Sequence, residues 1–508
     1  MYPNHIEIKY LDNEYWWGGV IDEGINMPYA DNYQLIDLNE YNYGNQVTSF
    51  FISSKGRYFY SDEPIKYEIK NKTLIVDSVL PITLECKKNL KEAYYDCAKK
   101  HFKCDGKYPD IDMFSIPQYN TWIEMNWFPS QEKVINYAKE IIQNGFKPGI
   151  LMIDDGWQED YGVWNFDNKK FPNPKKMIEE LHELGFKVML WLVPCISPDS
   201  LTFRNLIPTK VLLKEESGRP QIMEWWDGFS GVIDLTSDEA KKWLEEQCDN
   251  LINNYGVDGF KFDGADADFY PHTGKFYNGK YRINQAKLYS DFARKYPLNE
   301  MRACFNMQGK GLSQRLTDKA HSWDNRGINM LIPNGIAMSL LGYTFCCPDM
   351  IGGGLVGDFV KSNYKDIDQQ LFVRYAQVST FFPMMQFSLA PWKVLNKTNL
   401  NIVKRCCKIH DEISEYIKEL VMQSCKDCSP LIRNLEFEYP GKGYENIKDQ
   451  FILGSKYLIA PIIKKDMFSR KVVLPDGKWL DDLGNIIEGN QTIDIDVPLE
   501  RLPYFKKI

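Results

Sequence analysis

Two residues suited to one chemical task lie two positions apart at the end of an apolar run. Lys261 and Asp263 end the stretch 257–263, and Gly264 follows directly. A carboxylate at the tip of a buried strand is costly to keep there unless it is paired or hydrogen-bonded. At the carboxyl end of a barrel strand, such a residue is a candidate for catalysis. We therefore predict that Asp263 is a nucleophile with Lys261 beside it. The alternative is an aspartate that only caps the following turn.

Acidic and aromatic residues recur where the predicted strands end. One such residue would be unremarkable, but their repetition indicates a common pocket, because barrel enzymes collect their chemistry at the loops after the strands. Taken singly, the tryptophans are better explained as core residues. The residues at these points, in chain order, are Trp122, Asp154, Asp155, Trp157, Trp191, Lys261, Asp263, Trp323, Asp324, Asp349, Gln386 and Trp392.

A pair of carboxyl groups with different roles is what the cleavage of a glycosidic bond requires. Asp263 suits the ionised role, because the nearby Lys261 cation lowers its pKa. Asp324, next to Trp323, suits the role of the acid that protonates the leaving oxygen. A retaining mechanism would place the two carboxyl groups roughly 5–5.5 Å apart. Three aspartates are alternatives, Asp318 for the acid and Asp266 and Asp268 for the nucleophile.

The pattern of predicted elements changes twice along the chain. Short alternating stretches punctuated by Gly, Asn, Asp and Pro predict an N-terminal β-sandwich-like domain over residues 1–105. Strands and helices then alternate over 106–424, which predicts a (β/α)8 TIM barrel, with an open α/β sheet as the alternative. Its predicted strands include 118–123, 147–154, 186–193, 257–263 and 301–307. Short strands return over 425–508 and predict a C-terminal antiparallel β domain.

Composition excludes several classes of protein. The 508 residues suit about two to four domains, and a net charge of −8 argues against a nucleic-acid partner. No apolar run is long enough to span a membrane, and the first residues do not resemble a signal peptide. The 12 scattered cysteines indicate reduced thiols, so we expect a cytoplasmic protein. The lone Cys425 and Cys428 pair is a weak zinc signal. Whether the chain forms homo-oligomers is left open.

Several motifs together resemble glycoside hydrolase family 31. The stretch 259–263 (Gly-Phe-Lys-Phe-Asp) is similar to the family's nucleophile motif, and within the family the chain looks closest to the branch of the myogenesis-regulating glycosidase and bacterial α-galactosidases. The resemblance extends from about 117 to 392. Its further pieces are 120–122, 153–157, 165–167, 170–172, 188–191, 322–324, 341–343, 348–353, 373–377 and 385–392.

The resemblance implies a retaining α-glycosidase with a barrel between β domains and without metal or cofactor. It assigns the nucleophile to Asp263 and the acid/base to Asp324. For the family's upstream arginine, Arg302 and Arg315 are the nearest candidates. The sugar pocket that the resemblance implies consists of Trp122, Asp154, Asp155, Trp191, Lys261, Arg315, Trp323 and Asp349.

Two departures bear on the sugar that is recognised. Family α-glucosidases usually carry a histidine in the last barrel strand, and here Ser388 stands at that position. The segment 154–157 also resembles α-galactosidases of a related family, which fits an axial 4-hydroxyl. We therefore predict an α-galactosidase acting on small oligosaccharides or glycosides. The alternatives are another α-hexosidase (for N-acetylgalactosamine, glucose or a modified glucose), a non-catalytic carbohydrate-binding protein and a metal-dependent barrel enzyme.

Overall fold

A computed structural model describes residues 2–40, 44–279, 281–360 and 366–508. Its centre is a parallel sheet of nine short strands. The first and last strands in spatial order are separated by only two residues of the chain, so the sheet closes into the predicted (β/α)8 barrel. In spatial order the strands are Cys346–Cys347, Gln314–Arg315, Leu298–Met301, Gly259–Phe262, Lys187–Leu192, Ile150–Ile153, Gln118–Asn120, Gln386–Phe387 and Met350–Ile351.

The helices that follow the strands cover the outside of the barrel with apolar faces. Ser130 caps one of them as the sequence predicts, because its hydroxyl accepts a hydrogen bond from the Lys133 amide. Gly256 ends another at a φ of +83°. The helices of this region are Trp122–Met125, Gln131–Gln143, Pro174–Glu183, Leu201–Leu206, Asp238–Tyr255, Ile283–Ala293, Ile328–Leu340, Gly357–Val360, Gln369–Ser379, Pro391–Val394 and Lys397–Asp427, with a 3-10 turn at Ala267–Phe269.

Two strand predictions differ from the structure. The strand expected over 118–123 ends at Asn120, and Trp122 begins a short helix. The strand expected over 301–307 is divided: Leu298–Met301 belongs to the barrel, whereas Cys304–Phe305 leaves it and pairs with a strand of the N-terminal domain. A run of apolar residues predicts a strand without showing which sheet that strand joins.

The N-terminal residues form two antiparallel sheets. The first contains Asn4–Lys9, Thr73–Ser78, Ile65–Lys70 and Gln34–Asp37, and the second contains Trp16–Val20, Gln46–Ser53, Arg57–Tyr60 and Glu85–Cys86. A 3-10 turn at Ile21–Asn26, the helix Leu90–Lys100 and a second 3-10 turn at Ile111–Phe114 complete this region. Gln46 donates hydrogen bonds to the carbonyls of Arg302 and Arg315, over 2.8 and 2.9 Å. The N-terminal domain therefore supports two barrel strands from outside.

Two small β insertions follow barrel strands near the centre of the sheet. One is the hairpin Gln158–Asp160 with Val163–Phe166, and the other is the three-stranded sheet Cys195–Ile196, Gly228–Val232 and Ile222–Trp225. Lys214–Glu215 also pairs with Gly274–Lys275. These insertions stand over the carboxyl ends of the barrel strands.

The C-terminal strands form a six-stranded sheet and a two-stranded ribbon with a small core of their own. Their bounds are Ile432–Arg433, Phe451–Leu453, Tyr457–Ile459, Tyr504–Lys507, Lys478–Asp481, Ile486–Glu488, Ser469–Leu474 and Gln491–Asp496, with the helix Leu435–Glu438. Within the described ranges, no helix is long and apolar enough to cross a membrane.

Candidate active site

A cavity of about 470 Å³ opens at the carboxyl ends of the barrel strands. This is the face where barrel enzymes carry out their chemistry. Six of the residues predicted from the sequence line it: Trp122, Asp154, Asp155, Trp191, Lys261 and Asp263. The rest of the lining is Gly44, Trp127, Trp226, Asp227, Asp266, Asp268, Phe269, Arg302, Thr317, Asp318, Leu355 and Val356.

Asp263 follows the strand Gly259–Phe262 and is fixed by its backbone and by both carboxylate oxygens. Its amide donates to the Leu192 carbonyl over 2.8 Å. Its Oδ2 accepts from Trp191 Nε1 at 3.2 Å, and its Oδ1 accepts from Arg302 Nε at 3.0 Å. Burial by itself raises the pKa of this carboxyl, but the cations Arg302, Lys261 and Arg315 outweigh it and hold the pKa well below its usual range. The carboxylate therefore stays ionised, as a nucleophile must.

The backbone beside Asp263 also requires glycine at one place. A side chain at Gly259 would put its Cβ 2.0 Å from the Leu298 carbonyl oxygen on the adjacent strand. Glycine lets these two strands approach closely enough to pair. The pairing in turn places Lys261 and Asp263 at the mouth of the barrel rather than below it.

Arg302 holds two acids of the cavity at once. Besides Asp263, its guanidinium binds Asp266 through two hydrogen bonds, 2.7 and 3.0 Å long. Such a two-pronged pair is strong and fixes the orientation of both partners. Of the two arginines that the sequence left as candidates, Arg302 is therefore the one that faces the cavity.

Lys261 and Asp154 form a buried ion pair in the floor of the cavity. Lys261 Nζ lies 2.7 Å from Asp154 Oδ2, and the two side chains are 5% and 3% exposed. A buried charge of either sign would be costly without its partner. The pair brings an acceptor and a donor together at the bottom of the cavity.

Asp155 lies beside this pair but has a different environment. Its carboxylate accepts from Gln158 Nε2 at 2.9 Å and from the Tyr161 hydroxyl at 3.0 Å. Burial, followed by the nearby Asp227 carboxylate, raises the pKa of Asp155 to about 7. Asp154 and Asp155 are thus neighbours in sequence with different partners, a cation for Asp154 and neutral donors for Asp155.

Arg315 and Asp349 lie beneath the cavity rather than in its lining, so the structure corrects their predicted positions. Arg315 is 1% exposed and contacts Glu300, Asp318 and Asp349 over 3.1, 2.8 and 2.7 Å. Neither residue is open to a sugar in this arrangement. Their network instead fixes Asp318, whose carboxylate does reach the cavity.

Asp324 and Trp323 are likewise outside the cavity, contrary to the sequence-based expectation. The Asp324 side chain is 54% exposed and faces Arg326 at 3.1 Å. Its Oδ1 accepts from the Arg326 amide at 2.9 Å, which is the local turn that the sequence 324–327 also allows. The Trp323 indole donates to Asp368 over 2.9 Å. The alternative acid, Asp318, is the one that lines the cavity, with its side chain 31% exposed.

Trp226 and Asp227 are two of the lining residues that the sequence analysis missed. They form the turn of a hairpin in which Trp225 pairs with Gly228. A turn signal was present in the sequence, because Asp followed by Gly is typical of turns in general. What the sequence could not show is that this hairpin reaches over the barrel.

Nothing in the described ranges points to a metal centre. No group of three or more His, Cys, Asp or Glu side chains has the arrangement needed to hold an ion. All twelve cysteines are free, including Cys425 and Cys428.

The chain is similar in sequence to known glycosyl hydrolases. The model of the glycosyl hydrolases family 31 TIM-barrel domain matches residues 113–416, and that of the family 31 C-terminal domain matches residues 428–507. The chain is 30% identical over 416 residues to the myogenesis-regulating glycosidase of Mus musculus, covering 80% of this chain and 58% of that protein. It is 25% identical over 413 residues to α-glucosidase 2 of Bacillus thermoamyloliquefaciens, covering 75% and 51%. The chain thus spans little more than half the length of these relatives.

Solved structures share the fold. A family 31 dextranase of Flavobacterium johnsoniae in complex with glucose gives a TM-score of 0.86 at 20% identity, covering 99% of this chain and 66% of that one. A family 31 α-xylosidase from a soil metagenome in complex with xylose gives 0.86 at 20% identity, covering 99% and 79%. At this identity the likeness concerns the architecture alone. Because the family models match well over half of the sequence, the chain belongs to glycosyl hydrolase family 31.

Proposed function

We propose that the chain is a retaining α-glycoside hydrolase that removes a terminal sugar by double displacement. The observation that carries the proposal is the state of Asp263, which is ionised, held by Arg302 and Trp191, and open to the cavity. Such a carboxylate can attack the anomeric carbon and form a glycosyl ester. Membership of the family supports the same reaction.

We propose Asp318, in place of Asp324, as the acid/base. Asp318 lines the cavity, and its Oδ1 is fixed by Arg315 at 2.8 Å. Its partial exposure suits a group that must meet the leaving oxygen at the mouth of the site and later take a proton from water. Asp324 neither lines the cavity nor contacts Arg315, because its carboxylate faces solvent and Arg326.

In this mechanism each described residue has a separate task. Asp318 protonates the glycosidic oxygen while Asp263 bonds to the anomeric carbon and the aglycone leaves. Asp318 then deprotonates a water molecule that releases the sugar with its original configuration. Arg302 and Trp191 hold Asp263, and the Lys261–Asp154 pair binds hydroxyl groups of the sugar.

For the sugar itself we propose α-galactose. The support is the carboxyl pair Asp154 and Asp155 on one side of the cavity, together with Ser388 where family α-glucosidases carry a histidine. The Ser388 hydroxyl accepts from the Ile123 amide at 2.7 Å, so it serves the backbone rather than a sugar. The second candidate is an α-glucosidase or α-xylosidase, which the names of the similar proteins favour.

A panel of aryl α-glycosides tests these proposals. The panel contains the galactoside, glucoside, xyloside and N-acetylgalactosaminide, with Asp263→Ala as the blank. Hydrolysis of the galactoside alone, lost in the blank, is the expected result. Hydrolysis of a different aryl glycoside would support the mechanism and overturn the galactose assignment. Binding of sugars without hydrolysis of any would instead favour a carbohydrate-binding protein.

We also propose a cytoplasmic location. The support is chemical: all twelve cysteines are unpaired, and most of them are buried. A chain that is exported to an oxidising compartment and is recovered from it active, with its twelve thiols still reduced, would count against this proposal.

A further inference from the structure

The hairpin over the cavity has a rigid base and a two-residue tip. Its strands Ile222–Trp225 and Gly228–Val232 pair in register, and Cys195–Ile196 adds a third strand. Trp225 and Gly228 are directly opposite, so Trp226 and Asp227 alone make the turn. A turn this short gives its residues little freedom of position. The tip is therefore a fixed part of the cavity wall.

Aromatic contacts hold the tip above the candidate nucleophile. The Trp226 ring lies 5.1 Å from that of Phe269, and the Arg302 guanidinium carbon lies 5.5 Å from the Trp226 ring centre. Trp225 packs edge-on against Tyr161 at 4.9 Å. Because Arg302 binds Asp263, the hairpin tip and the nucleophile contact the same side chain.

One carboxylate oxygen of Asp227 lacks a hydrogen-bond partner among the described residues. Asp227 lines the cavity, and the oxygen in question is its buried Oδ2. The hydrogen-bonding neighbours of Asp227 are the side chains of Tyr161, Asp155, Trp127 and Trp226. A buried oxygen without a partner costs free energy, so it requires an explanation.

Four acids of the cavity, Asp154, Asp263, Asp266 and Asp318, form ion pairs with cations, whereas among the described residues Asp155, Asp227 and Asp268 do not. Lys261 pairs with Asp154, and Arg302 pairs with Asp263 and Asp266. In the part of the chain that the structure describes, no lysine or arginine forms an ion pair with Asp155 or Asp227. When two neighbouring carboxyls lack a cation, the pKa of one of them rises, and the pair can then hold one proton that makes one carboxyl a donor and the other an acceptor.

We propose that Asp227 is a specificity-determining residue that binds, together with Asp155, a hydroxyl group of the terminal sugar remote from the anomeric carbon. The inference rests on the proposed function, and it adds to the site a residue from outside the barrel strands. A sugar hydroxyl both donates and accepts, so it can complete a carboxyl pair that holds one proton. Burial and the neighbouring carboxyl raise the pKa of Asp155 to about 7, which agrees with a shared proton at neutral pH.

Binding of free sugars tests this without requiring hydrolysis. Isothermal titration calorimetry would compare D-galactose, D-glucose (its 4-epimer) and D-fucose (6-deoxy-D-galactose) on the wild-type chain and on Asp227→Ala. For the sugar that the wild type binds most tightly, we expect about tenfold weaker binding or more by the variant. The loss of affinity should be smaller for at least one of the other two sugars. That sugar lacks the hydroxyl contacted by Asp227 or carries it in the opposite configuration.

Two further variants separate recognition from folding. Asp227→Asn preserves the turn, since Asn and Asp are both favoured turn residues, and it should retain part of the affinity. Glu224→Gln makes the same change of charge on an exposed position of the same hairpin and should leave affinity unchanged.

Three results would overturn the inference. They are unchanged affinity in Asp227→Ala, an equal loss for all three sugars, and a wild-type chain that binds none of them. Hydrolysis of the aryl glycosides by the wild type is measured independently of sugar binding. Failure of the proposed reaction is therefore distinguishable from failure of the Asp227 assignment. In kinetics, Asp227→Asn should raise KM and leave kcat nearly constant.

Discussion

Lys261 and Asp154 come from strands on either side of the strand Lys187–Leu192, yet their charged atoms are 2.7 Å apart. The pair therefore links these two strands across the intervening one, in the floor of the cavity. It is almost completely buried, so each charge depends on the other.

Loss of one partner of this pair should destabilise the fold. For Lys261→Met we expect a loss of about 3–5 kcal/mol in the free energy of unfolding, because Asp154 would remain buried without a cation. Urea unfolding followed by tryptophan fluorescence measures it. The double variant Lys261→Met with Asp154→Asn should recover part of the loss, and a double variant as unstable as the sum of the single ones would contradict the pairing.

Replacement of Asp263 should abolish turnover while the fold is retained. In Asp263→Gly we expect kcat to fall by about 10⁴-fold or more, since no group remains to form the glycosyl ester. Added azide should restore cleavage of an activated aryl α-glycoside and yield the β-glycosyl azide, because azide occupies the face that the carboxylate leaves. Rescue that gives the α-azide would argue against a direct displacement on that face.

Asp318 and Asp324 are a matched pair for locating the acid/base. We expect Asp318→Ala to slow substrates with poor leaving groups by about 10²–10⁴-fold and activated aryl glycosides much less, since only the former need protonation. Asp324→Ala should remain close to wild type on both. The measurement is kcat/KM on a disaccharide and on a dinitrophenyl glycoside, and a selective loss in Asp324→Ala instead would restore the original assignment.

Arg302 should control the pH at which the nucleophile becomes protonated. Burial raises the pKa of Asp263 and the cations, Arg302 foremost, lower it further than burial raises it. In Arg302→Met the pKa should therefore rise, so the decline of kcat/KM on acidification should begin at a higher pH than in the wild type. Arg302→Lys retains the charge and should keep the wild-type acidic limb despite a lower kcat. An unchanged limb in Arg302→Met would show that Arg302 does not set this pKa.

Asp155 should make the fold less stable as the pH rises. Burial and the Asp227 carboxylate raise its pKa to about 7 in the folded chain, above the ordinary value that it has when unfolded. The folded state therefore binds a proton that the unfolded state has already lost between roughly pH 4 and 7, and stability falls across that interval. Asp155→Asn removes this cost, so it should stabilise the chain by about 1–3 kcal/mol at pH 8 and much less at pH 4. Thermal unfolding at the two pH values measures the difference, and equal shifts at both would contradict it.

Much of the site could be predicted from local sequence. Alternating strands and helices predicted the barrel, because the spacing of apolar residues that marks a strand or a helix can be read within a short stretch of chain. An acid placed directly after a buried strand predicted Asp154, Asp155 and Asp263, because the carboxyl ends of parallel strands meet at one face. Trp122, Trp191 and Lys261 followed from the same rule, and the structure places all six in one cavity.

The tertiary structure decided what no local pattern contains. Asp318 and Asp324 are both acids in one loop, and only packing shows that Arg315 draws the first inward while the second faces solvent. Arg302 and Arg315 likewise end neighbouring strands, but one lines the cavity and the other lies beneath it. Asp227 is brought to the cavity by a hairpin inserted after a different strand. The sequence by itself thus determined which residue types reach the mouth of the barrel, whereas distances between segments far apart in the chain determined which of them act together.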